Sequence, residues 1–171
     1  MKILYFDIAS HAQLFAVVTG SEVNATKVLE QRVDDHELLP CIEDTLAAAG
    51  CSYQTLTGIA CVIGPGGFTS LRIAASCANV LSDQLKIPSA GVHLSDVWRQ
   101  KVASEDCVWV HSTKKNEVFA STFTSDLWPE PTHLELSEFL QKVPKDAEWC
   151  GELIADHQTQ VEALGLRRSH E

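Results

Sequence analysis

Gly58-Ile59-Ala60-Cys61-Val62-Ile63 runs without a charged side chain into Gly64-Pro65-Gly66-Gly67, and Phe68-Thr69-Ser70-Leu71-Arg72-Ile73 follows at once. A short, continuous run rich in Val and Ile, closed by a Gly/Pro break, suits a strand buried on both faces. The residues beyond the break change period, and a helix is predicted from about Thr69, its N-cap, to Leu85, with Pro88 just past its end.

Toward the N-terminus, Ile3 to Phe6 and Leu14 to Val18 flank the polar turn Asp7-Ile8-Ala9-Ser10-His11 and read as a hairpin. Val23 to Val33 reads as a third, more exposed strand. Leu38, Ile42, Leu46 and Ala49 then recur at helical spacing from a start near Asp35, with Gly50 as the stop and Pro40 in the first turn, where its missing N–H costs little. Beyond Pro88 the pattern gives a strand at Ala90 to Val92, a helix from Ser95 to Ala103 and strands at Cys107 to His111 and Val118 to Phe123. Trp128-Pro129-Glu130-Pro131 is a rigid turn, followed by a helix at Ser137 to Lys142, a strand at Glu148 to Gly151 and a last helix at His157 to Leu164. No repeat of fixed period and no low-complexity tract interrupts this order, which indicates an α/β or α+β class with a mixed sheet.

The chain has 171 residues, 45% of them apolar and 21% charged, enough for a real core without disulfide or metal staples. Its net charge of −10 argues against autonomous binding to a phosphate backbone, so nucleic acid would have to be held by a partner, or else the acidity is no more than a solubility device; both readings stay open. Six cysteines without a Cys-x-x-Cys pair read as reduced thiols of a cytoplasmic protein, and neither a secretory h-region nor a membrane-length apolar run occurs.

The loop Gly64, Gly66, Gly67 to Thr69 joins a buried strand to a helix, a geometry that receives anions on free backbone N–H groups or else lets helix and sheet pack closely; both readings stay open. It is not a Walker loop and not a dinucleotide fingerprint. Asp7 and Ser10 in the first turn suit a phosphate or hydrated metal, or a plain Asx turn. No metal site is expected: there is no His-x-x-x-His, and Cys107 and His111 would stand about 13 Å apart on one strand. No nucleophile elbow is present, so no catalytic residue is assigned. The helix at 69–85 is apolar nearly all round, so it must be covered on two sides, with the small residues Ala74, Cys77 and Ala78 inviting close approach of another helix.

The run Gly64 to Ile73, with His36-Glu37-Leu38-Leu39-Pro40 and Phe6-Asp7-Ile8-Ala9-Ser10 before it, resembles the TsaB (YeaZ) family, whose pattern is Gly-Pro-Gly-Ser-Phe-Thr-Gly-Leu/Val-Arg-Ile. Gly67 and Ser70 depart from that pattern, Ile8 replaces a usual Thr, and His111-Ser112-Thr113 stands where Asp-Ala-Arg is expected. The resemblance covers residues 1 to about 123. It implies an α/β chain of the actin-like, sugar-kinase and Hsp70-like (ASKHA) fold, with two small lobes built on mixed sheets, an N-terminal lobe at 1–93 and a shortened C-terminal lobe at 94–171.

The resemblance further implies a non-catalytic scaffold or activator in making threonylcarbamoyladenosine in tRNA. Its partners would be a TsaD-like catalytic subunit and a TsaE-like ATPase, with tRNA reached indirectly and a homodimer formed when alone. No cofactor is expected on the isolated chain, ATP or ADP belonging to the assembled complex. The expected interface is His36, Leu38, Leu39, Ile42, Leu46, Leu71, Ala74, Cys77, Ala78 and Leu81, and a phosphate-loop remnant would comprise Asp7, Ser10, Gly64, Gly66, Gly67, Thr69 and Arg72. The competing expectation is an independent actin-fold ATPase or small-molecule kinase using Asp7 and the glycine loop, disfavoured by the missing adenosine loop.

Overall fold

The computed structural model describes residues 1–29, 33–34, 36–104 and 106–169. Residues 30–32 of the expected third strand and the helix start expected near Asp35 lie outside them. Contacts divide the chain into two compact units, Met1–Val92 and His93–Glu171.

In the first unit, β1 (Lys2–Asp7) and β2 (Gln13–Thr19) form the expected antiparallel hairpin, which β3 (Glu22–Leu29) extends. After α1 (Leu38–Ala48), the buried run becomes β4 (Gly58–Gly64), parallel to β1; α2 (Phe68–Leu85) and β5 (Ser89–His93) complete a five-stranded sheet of order β3-β2-β1-β4-β5. Alternation along the strands turns Leu4, Phe6, Phe15, Val17, Ile59 and Cys61 into one cluster with Ile42 and Leu46 of α1 and with Ala74 and Ala78 of α2. Phe6 and Phe15 are register partners whose rings stack at 6.4 Å. Each large side chain so buried contributes about 1.5–3 kcal/mol.

The second unit repeats this connectivity. After the short α3 (Leu94–Arg99), β6 (Val108–Lys114) pairs antiparallel with β7 (Glu117–Thr122), and β7 with β8 (Thr132–Glu135). Past α4 (Leu136–Lys142), β9 (Glu148–Glu152) returns parallel to β6; α5 (Ala155–Ala163) and the two-residue β10 (Arg167–Arg168) follow, giving the order β10-β9-β6-β7-β8. Val108, Val110, Val118 and Trp149 of the sheet bury Phe139 of α4 and Val161 of α5, and Trp128 stacks on Phe139 at 5.4 Å. Two meander-plus-parallel sheets with intervening helices make the chain α/β.

Several boundaries differ from expectation. Gly67, not Thr69, holds the N-cap position of α2, with an extended backbone and no side-chain cap. The helix expected to reach Ala103 ends at Arg99, while β8 and β10 have no counterpart in the sequence reading. No described helix is long and apolar enough to cross a membrane.

Candidate functional site

The first turn follows from its short polar side chains. Asp7, 5% exposed, accepts the backbone N–H groups of Ala9 at 2.9 Å and Ser10 at 3.0 Å on Oδ1, and the Ser10 hydroxyl donates to Oδ2. This is an Asx turn whose carboxylate already holds three donors. Burial first, and then the Asp7 charge, push the Tyr5 phenol and the Cys61 thiol upward, so both stay neutral beside it.

The glycine loop rests on that turn. Gly64 has φ +148°, a region that disfavours side chains, and sets the break after β4. Gly66 needs no left-handed backbone; a Cβ there would lie 2.7 Å from Ala9 Cβ and 3.1 Å from Ala9 O. Close approach of the two loops therefore selects glycine at 66. Gly66→Val is expected to lower stability by about 1–3 kcal/mol through overpacking, read as a drop in melting temperature. Unchanged melting with loss of nucleotide binding would instead mark the loop as a phosphate cradle. Thr69 and Arg72 are exposed on α2 rather than turned toward Asp7's carboxylate, whose donors come from its own turn.

The expected interface separates into two sets. Leu38, Ile42, Leu46, Ala74 and Ala78 are between 0% and 4% exposed and belong to the unit's own core. Leu39 is 49% exposed, His36 is exposed, and Leu71, Cys77 and Leu81 are half-buried. α2 is thus covered on one side only: Ser70, Ala74 and Ala78 let it approach the sheet, and its opposite side leaves Phe68 and Val80 74% and 60% exposed. Between α1 and α2 runs an apolar groove of about 630 Å³, lined by Leu38, Leu39, Thr69, Arg72, Ile73, Ser76, Cys77, Val80 and Leu81. Arg72 lies over the ring of Phe68, one turn earlier, at 5.4 Å. The Cys77 thiol is pushed up to about 11 by burial and by neighbouring Cys61, which keeps it protonated. Sequence reasoning missed Phe68, Ile73, Ser76 and Val80 because an all-round apolar helix does not declare which side faces in.

In the second unit, Ser112 and His157 form a pair that superficially suits nucleophilic catalysis. His157 Nε2 lies 2.6 Å from the Lys115 carbonyl, which can only accept, so Nε2 carries the proton and Nδ1 receives the Ser112 hydroxyl at 2.9 Å. Ser112 Oγ also accepts the Ile154 N–H at 3.1 Å. With Ser112 at 6% exposure and His157 at 0%, the pair pins α5 to the β6–β7 hairpin and offers no open nucleophile.

A sequence profile described as TsaD, tRNA N6-adenosine threonylcarbamoyltransferase, matches residues 10–126. The chain belongs to that family, on its TsaB (YeaZ) side. The tRNA threonylcarbamoyladenosine biosynthesis protein TsaB of Escherichia coli (strain K12) is 28% identical over 131 residues, 74% of this chain and 56% of that protein. The protein of the same name from Buchnera aphidicola subsp. Acyrthosiphon pisum is 33% identical over 91 residues, 51% of this chain and 41% of the relative. The chain thus spans about half the length of the curated relatives it matches. YeaZ from Pseudomonas aeruginosa superposes with a TM-score of 0.70 at 22% identity, over 88% of this chain and 75% of that one, which shows the shared fold. The duplicated mixed sheets are those of the actin-like, sugar-kinase and Hsp70-like class.

Proposed function

We propose that this chain is a non-catalytic scaffold in the making of threonylcarbamoyladenosine in tRNA, and that it docks on a TsaD-type transferase through the groove between α1 and α2. The single observation that carries the reading is that groove: an apolar cleft of about 630 Å³ between two helices, whose lining includes Leu39 and Val80, 49% and 60% exposed. The names of the TsaB relatives support the pathway. The net charge of −10 supports leaving tRNA to the partner. The Asp7 carboxylate, already engaged by three donors of its own turn, supports a structural role for that turn.

In this reading the chain works in the cytoplasm, binds no cofactor by itself, and self-associates when the transferase is absent. A TsaE-like ATPase joins the complex, where ATP or ADP is handled. The test measures ATP hydrolysis and threonylcarbamoyl transfer by the purified chain, alone and with the TsaD-type subunit of the same genome. Turnover is expected only in the mixture. A rate for the chain alone that matches the mixture, and that Asp7→Ala abolishes in a variant melting like the parent, would overturn the scaffold reading in favour of an independent ATPase or kinase.

A further inference from the structure

We infer that Arg72 makes the groove selective, favouring a foreign helical surface that carries a carboxylate over a second copy of this chain. The inference rests on the groove being the docking face proposed above. Among the described residues lining it, Arg72 alone carries a charge, since Cys77 is held protonated. No ion pair of the described residues includes Arg72; its guanidinium is steadied only by the ring of Phe68.

An occupant that fills the groove and also covers Phe68 strips water from that guanidinium, and a buried cation without a counter-charge strongly opposes association. The occupant must therefore bring an anionic acceptor, and the planar guanidinium fits a carboxylate with two parallel hydrogen bonds. A second copy is poorly suited to supply it. Closed two-fold pairing sets the same patch against itself, so the groove lining meets groove lining. That lining holds two arginines in the pair and no acid. The two copies would bury like charges in an apolar seam, whereas a foreign face of similar shape with one Asp or Glu opposite Arg72 compensates the charge as it closes.

Arg72→Met keeps a long, flexible stem of good helix propensity and removes the charge, at an exposed position that the core does not need. Self-association is measured by light scattering across a concentration series. Binding to the TsaD-type subunit is measured by titration at two salt concentrations. We expect self-association at least tenfold tighter, binding to the subunit at least tenfold weaker, and its salt sensitivity reduced, with Arg72→Lys restoring part of the preference. Unchanged subunit binding, or tightening of both associations, would overturn the inference. Val80→Asn, also at an exposed site and adding no charge, separates the two levels. If it leaves both associations intact, the docking reading falls and the selectivity with it. If it abolishes both while Arg72→Met leaves the preference unchanged, only the selectivity falls.

Discussion

Gly151→Ala is expected to unfold the second unit, with a loss of about 3–5 kcal/mol, among the largest effects a single methyl group can have. Gly151 sits in β9 directly beside Val110 of β6, with which it is in parallel register, and its φ is +119°. A Cβ built there would lie 2.1 Å from the Val110 carbonyl oxygen and 3.0 Å from its carbon. Both are backbone atoms of a central strand, so no side chain can swing away to make room. Relief requires moving β9 off β6, which breaks the sheet beneath Trp149, 1% exposed and part of the core. Chemical denaturation with hydrogen exchange resolved by residue checks this: protection should vanish across Val108–Thr122 and Glu148–Glu152. A loss below about 1 kcal/mol would mean that the strands do not pair in this register.

Ala78→Glu and Ala74→Arg are expected to destabilise the first unit by several kcal/mol rather than merely to block assembly. From sequence, these small residues invite the close approach of another helix, and the expected interface includes them. The structure reverses that expectation, because Ala74 and Ala78 are 0% and 3% exposed within the cluster that includes Ile42 and Cys61. The introduced charge has neither water nor counter-ion there, and the longer side chain has no volume to occupy. Circular dichroism and melting of the two variants test this. If both remain folded as the parent and fail only to assemble, the inward assignment of this row is wrong.

The β4-loop-α2 stretch was legible because its signals agree: a continuous apolar run, a glycine break and a helical period lead to one geometry. The hairpin of β1 and β2 was legible for the same reason. What stayed hidden has physical causes. Thr69 carries the better capping side chain, yet the chain turns at Gly67, where close packing on Ala9 through Gly66 fixes the path. β8 buries only Leu134 of its four residues, and β10 is two exposed arginines, so neither carries a hydrophobic alternation. The shared connectivity of the two units left no trace as a sequence repeat, since order and register can be kept while side chains change. In the groove, periodicity located both helices but not their inward rows: small Ser70, Ala74 and Ala78 let α2 come close to the sheet, while larger Phe68 and Val80 stay outside.

Because each half closes its own core over its own copy of the same strand order, the two halves answer to different pressures. A surface that must fit a partner can change only in step with it, whereas a half that needs only to stay folded is free to drift wherever its interior is kept. Ser112 is of the second kind: its hydroxyl serves only its own half, fastening α5 through His157. Under the proposed docking, selection on this chain should be uneven along its length, slow in the outward rows of α1 and α2 and fast on the outer faces of β7 and β8.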